Sequence, residues 1–170
     1  MMNINDKVIY GANGVCEVTD ITKMNMSGVE KEYYVLQSLT EGSMCIYVPV
    51  DNANIKELRL ALDKDEAEKL ISEMSEYKTL WFDNERKRRE EYTGIIDRAN
   101  PKELLSLIKT LYLKKQEREA SGKRLYVSDE TFMKAAEKLL YKELGNALGI
   151  ESSAVPEYIS SRISGSISNK

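Results

Sequence analysis

The spacing of apolar residues changes once along this chain, near residue 60, and that change divides the fold into two architectures in series. Before it, short runs rich in β-branched and aromatic residues, "KVIY", "GVCEVTDI", "EYYVLQSL" and "MCIYVPV", alternate with the turn signals "GANG", "MSGVEK" and "TEGS". Four or five such strands in about 50 residues predict a small twisted antiparallel sheet curled into a barrel. Gly11 and Gly14 flank a tight turn that needs positive φ, and Pro49 closes the last strand, where a missing N–H is tolerated.

From Asp63 onward the apolar period is helical. Asp63 and Glu66 have the spacing of a capping box, followed by a stripe of Ala67, Leu70, Ile71 and Met74. A second helix starts near Asp83 or Asn84, carries a basic run in its first turns and turns Tyr92, Ile95 and Ile96 inward. A third has Asn100 as cap, Pro101 at the first helical position and Glu103 to complete the box, with Leu104, Leu107, Ile108 and Leu111 buried. A fourth begins at Ser128, with Asp129 and Glu130 near its positive end. It buries Phe132, Ala135, Ala136, Leu139, Leu140 and Leu144, and stops at Gly149. A short last helix follows "SSAVPEY". The expected class is α+β: an antiparallel barrel over residues 1–60, a compact all-α domain over 61–165, and a frayed tail at 166–170.

Composition narrows the chemistry. The chain has no histidine, which removes the usual general base near neutral pH and the commonest zinc ligand. No phosphate loop, dinucleotide fingerprint, nucleophile elbow or calcium-loop spacing occurs. The carboxylates of "DKDEAEKLISEMSE" alternate with lysines at helical spacing, as on a solvated helix face. A non-enzymatic protein without cofactor or metal is expected. Cys16 and Cys45 stand far apart, and both are expected as buried thiols in a reducing compartment. Neither a signal peptide nor a membrane span is recognised, so a cytoplasmic monomer is expected.

The net charge of −3 is unevenly spread, and residues 79–125 hold 12 basic against 8 acidic side chains. A local excess of cations on an acidic protein can steer a polyanion to that segment. The only tryptophan, Trp81, lies just ahead of Arg86, Lys87, Arg88 and Arg89. Two readings of it stand side by side. The indole either plugs a seam in the core or stays exposed as a wedge against nucleic-acid bases, with the cations on phosphates. Arg86 and Arg89, three apart, make the better phosphate pair, with Lys87 beside them.

The stretches "DKVIYGANGVCEVTDI", "GVEKEYYVLQSL" and "MCIYVPVDNANIKELR", the isolated tryptophan before a basic helix, and the helical pair "LLSLIKTLYLKKQER" and "AAEKLLYKELGNALG" resemble the CarD/CdnL family of bacterial transcription regulators. The resemblance runs from about residue 4 to residue 150, and its first part also occurs in transcription-repair coupling factors. It implies a Tudor-like barrel that binds the RNA polymerase β subunit, and a helical domain that reaches promoter DNA without sequence preference at the upstream edge of the bubble. On this resemblance Trp81 is the wedge, and Arg86, Lys87, Arg88, Arg89, Lys123 and Arg124 are the phosphate contacts. Where relatives offer polymerase-contacting arginines this chain has Met24 and Tyr47, with Lys23 as the nearest replacement charge. Such a protein acts in the cytoplasm at the nucleoid. The alternative is a protein-interaction adaptor whose helical domain does not touch nucleic acid.

Overall fold

The computed structural model describes residues 2–40, 42, 44–51 and 58–168, with side chains through Arg162. The chain divides into two compact units, Met1–Ala61 and Leu62–Lys170, at the point where the apolar period changes. The stretch Asn52–Glu57 of the resemblance lies outside the described residues.

The first unit is a five-stranded antiparallel sheet of β1 (Lys7–Tyr10), β2 (Val15–Met26), β3 (Val29–Ser38), β4 (Cys45–Pro49) and β5 (Leu58–Leu60). Its strand order is β4-β3-β2-β1-β5, which leaves β4 and β5 as edges. This unclosed sheet is compatible with the Tudor-like architecture. Gly11 and Gly14 both take positive φ around the turn that separates β1 from β2. The long β2–β3 hairpin turns through Ser27 and Gly28, with φ of 56° and 82°. Positive φ at both central residues matches the right-handed twist of the strands, which is why glycine stands there.

Period-two alternation then sets the core: Val8, Cys16, Val18, Tyr34, Leu36, Val48 and Leu58 are buried together, with Ile21 and Ile46 packed against them. On β4 this puts Ile46 and Val48 inward and Cys45 and Tyr47 outward. The expectation of two buried thiols therefore holds for Cys16 and fails for Cys45, which is exposed. An edge strand buries one parity only, and the run "MCIYVPV" is too uniformly apolar to say which.

The second unit contains α1 (Lys64–Ser72), α2 (Glu85–Arg98), α3 (Pro101–Ala120), α4 (Val127–Leu148) and α5 (Val155–Ser168). The Asp63 carboxylate accepts from the Glu66 N–H at 2.8 Å and the Glu66 carboxylate from the Asp63 N–H at 2.9 Å, closing the predicted box. Met74 falls beyond α1, in a 3₁₀ turn Met74–Glu76. Asn84 caps α2. Asn100 caps α3 by accepting from the N–H groups of Lys102 and Glu103. Glu103 does not complete that box, because its carboxylate pairs with Arg98 at 3.0 Å instead.

The fourth helix begins one residue earlier than expected. Tyr126, not a small acceptor residue, occupies its cap position and makes no side-chain cap bond. Gly149 ends α4 in the left-handed region, as its sequence position predicts. Helix α5 runs through Ser168, into the stretch expected as a tail. Leu104, Leu107 and Leu111 of α3 meet Ala136, Leu140 and Leu144 of α4 in the core, with Tyr92 and Ile95 of α2. Each wholly buried leucine contributes about 1.5–3 kcal/mol relative to exposure. Phe132, Ala135, Leu139 and Ile96, expected inward, are half-buried. Among the described residues, no helix is long and apolar enough to cross a membrane.

Candidate functional site

Trp81 lies in the extended segment between the 3₁₀ turn and α2, and its neighbours are fastened on both sides. The Leu80 N–H donates to Thr110 Oγ1 at 2.8 Å, and the Leu80 carbonyl accepts from the Tyr92 hydroxyl at 2.5 Å. The Phe82 carbonyl accepts from Arg88 Nη1 at 3.0 Å, while the Phe82 ring packs edge-on to Tyr92. Upstream, Lys109 Nζ donates to the carbonyls of Met74, Ser75 and Tyr77. Bonds to residues 80 and 82 place the side chain between them with little backbone freedom. Burial, with the nearby Asp129 charge as a second cause, raises the Tyr92 phenol well above its ordinary pKa, so its hydroxyl remains a donor.

The indole is half-buried, and two cations lie against it. Arg88 Cζ is 4.3 Å and Lys114 Nζ 4.4 Å from the ring centroid, and Nε1 donates to Asp83 at 3.1 Å. The same Arg88 guanidinium lies 5.4 Å from the Tyr126 ring, against which Arg118 sits at 4.0 Å. Lys114, Trp81, Arg88, Tyr126 and Arg118 thus alternate cation and aromatic ring in one ladder. Cation–π contacts of this kind contribute about 0.5–1 kcal/mol where exposed and about 2 kcal/mol where desolvated.

At the centre of the ladder Arg88 is buried, 3% exposed, and its Nε donates at 2.9 Å to Asp129, itself 1% exposed. Burial alone lowers the guanidinium's pKa, but the hydrogen bond and charge of Asp129 outweigh it, and the net shift is upward. This corrects the expectation for Arg88: it has no surface to offer a phosphate, and it holds the site together. The reason was readable on the helix. Arg88, Tyr92, Ile95 and Ala99 form one inward row, so the burial predicted for Tyr92 extends back one turn. Asp129, expected to serve the helix dipole, is likewise spent on this buried pair.

The other predicted cations are exposed. Arg86 pairs with Glu90 at 3.3 Å, Arg89 with Glu85 at 2.7 Å, and Lys87 lies 5.2 Å from the Phe82 ring. Lys123 and Arg124 lie exposed in the loop before α4, where Arg118 Nε donates to the Arg124 carbonyl at 2.5 Å. From sequence, Lys114 and Arg118, with Lys115, either extend the positive face or solvate a helix end, and Tyr126 is not assigned to the site. A signal for the first two existed: the inward row of Leu107 and Leu111 continues at Lys114 and Arg118, where long cationic side chains take over from leucine.

On the first unit, register decides which predicted polymerase-facing residues share a surface. Tyr47 pairs with Val35 and Met24 with Lys31, and alternation puts Tyr47 and Met24 on the face opposite the core. Lys23, opposite Glu32, points to the other face, and Lys31 is the cation beside Met24. Tyr47 is 50% exposed on edge strand β4, and Met26 and Val29 at the hairpin tip are 52% and 54% exposed. Exposed apolar side chains beside a strand that, among the described residues, pairs on one side only are features shared with protein-recognition surfaces.

The chain therefore combines a sheet unit that carries exposed apolar side chains on and near an edge strand with a helical unit that presents a fixed, cation-flanked indole. Residues 2–60 match the family described as the CarD-like/TRCF RID domain. The amino-terminal unit belongs to this CarD-like, RNA polymerase-interacting family of transcription proteins. No curated protein matches the chain.

Proposed function

We propose that this protein is a non-enzymatic transcription regulator that docks on the RNA polymerase β subunit through the outer face and β4 edge of its sheet. From there its helical unit sets Trp81 at the upstream fork of the promoter bubble. The observation that carries this reading is the placement of Trp81: a half-buried indole on a fastened segment, with cations against it, in a chain whose first unit is of the RID type. The exposed Arg86, Lys87, Arg89, Lys123 and Arg124 supply phosphate contacts without base readout, which makes the interaction strongly salt-dependent. The protein acts in the cytoplasm at the nucleoid as a monomer, and it needs no cofactor.

Catalysis is not required. A ligand that contacts the open promoter better than the closed one shifts the equilibrium by that difference alone. Stacking of about 1–3 kcal/mol shifts it about 5- to 150-fold. Because cations already cover part of the indole, the lower end is expected here.

The test is the lifetime of open complexes made with purified polymerase. Trp81→Ala is expected to shorten it by about 5-fold or more, and equal lifetimes for parent and variant defeat the wedge. The ion pairs of Arg86 with Glu90 and Arg89 with Glu85 favour a second reading, in which this face is internally neutralised and the protein is an adaptor. In that case Tyr47→Asp abolishes polymerase binding while Trp81→Ala changes nothing.

A further inference from the structure

We infer that Tyr126 and Val127, at the start of α4, form a second nucleic-acid contact beside Trp81. The inference rests on the fork-binding reading above and extends it to a surface that neither the sequence nor the RID match assigns. Val127 is 81% exposed and Tyr126 44% exposed, although α4 has ample buried positions for apolar side chains. Tyr126 occupies a cap position where serine, threonine, aspartate or asparagine would accept a backbone N–H, and it makes no such bond. Local helix stability thus does not account for either side chain.

Their surroundings indicate what covers them. The Tyr126 ring has Arg118 at 4.0 Å and Arg88 at 5.4 Å, and Lys123 and Arg124 precede it in the same exposed loop. Of the nearby acids, Asp129 is neutralised by Arg88, and Glu130 pairs with Lys134 at 3.3 Å. Glu119, at the end of α3, remains exposed. An apolar ring set among cations suits a polyanion that also carries flat apolar faces, which is a nucleic acid. Trp81 and Tyr126 both lie against the one Arg88 guanidinium, so their centroids are within about 10 Å of each other. That bound is at most about three nucleotide steps of about 3.4 Å each along a strand. The two rings can therefore engage one strand at the fork together, with Arg118, Lys123 and Arg124 on its phosphates.

The experiment uses full-length protein in open complexes with polymerase holoenzyme, comparing the parent with Tyr126→Ser, Tyr126→Phe and Trp81→Ala. Serine is the better helix cap but gives up the ring's contacts with Arg88 and Arg118, so the thermal midpoint of Tyr126→Ser is measured alongside and is expected to leave the protein folded at the assay temperature. Tyr126→Ser is expected to shorten the lifetime by about 5-fold, and Tyr126→Phe, which keeps the ring, to retain it. A photo-crosslinking amino acid at position 126 is expected to attach to promoter DNA. Parental lifetime in Tyr126→Ser with a shortened one in Trp81→Ala overturns this inference and leaves the wedge standing. Crosslinks to a polymerase subunit alone, or to nothing, also overturn it, and a parent protein that does not extend the lifetime removes both.

Discussion

Asp129→Ala removes the one carboxylate that neutralises Arg88 and leaves a guanidinium buried against Trp81, Tyr126 and the Phe82 carbonyl. With the partners 3% and 1% exposed, water cannot replace the lost oxygen without opening the junction. Breaking a buried pair by deleting one member costs about 3–5 kcal/mol, several times the value of a surface pair. A unit of about 110 residues unfolds with about 0.23 kcal/mol per kelvin of entropy, so this cost lowers Tm by about 13–22 °C. In urea, with a slope near 2 kcal/mol per molar, the midpoint falls by about 1.5–2.5 M. Trp81 is the only tryptophan and sits in this junction, so its emission follows unfolding of the helical unit alone. The double variant Arg88→Met with Asp129→Leu is expected to recover most of the loss, since an apolar pair of similar volume avoids the desolvation. A loss below about 1 kcal/mol for Asp129→Ala, as for a solvent-screened pair, refutes the reasoning. So does a double variant as unstable as the single one.

The remaining predictions concern the first unit. Cys45 is expected to react with a thiol reagent in the native protein while Cys16 reacts only on unfolding, so mass spectrometry under native conditions finds a single adduct. Burial raises the Cys16 thiol from 9.0 to about 11; because the folded value is the higher one, the contribution is complete below pH 9 and lost as pH rises towards 11. That loss, about 3 kcal/mol, lowers the denaturant midpoint of the sheet unit followed by circular dichroism, and Cys16→Ala flattens the pH dependence over this window. At the hairpin tip a Cβ on Gly28 meets nothing within 4 Å, so Gly28→Ala costs only its positive φ, about 1 kcal/mol. Ser27→Asn, which tolerates the left-handed region, raises the midpoint slightly in the same measurement.

Much of the fold was legible because local rules and burial agree. Asp63 and Glu66 close their box as spaced, Asn84 and Asn100 cap where they stand, and Gly149 ends α4. The departures have local causes. Glu103 found a cation in Arg98, α4 begins at a residue that cannot cap, and Cys45 faces out because an edge strand buries one parity only. The site was legible in part. A basic run beside a lone tryptophan marks the region, but four consecutive cations point in four directions on a helix, and one of them points into the core.

The order of residues by itself determined that a sheet precedes a helical unit, where most elements begin and end, and that Trp81 stands next to positive charge, because periodicity, capping and charge runs are properties of neighbours in the chain. Only the tertiary structure decided that Arg88 belongs to Asp129, that Lys114 lies against the indole, and that Tyr126 shares its guanidinium with Trp81. Those partners are 33 to 45 residues apart in sequence and meet only when α2, α3 and α4 pack. Which charge is buried and which is offered to a partner depends on the water left around it after that packing.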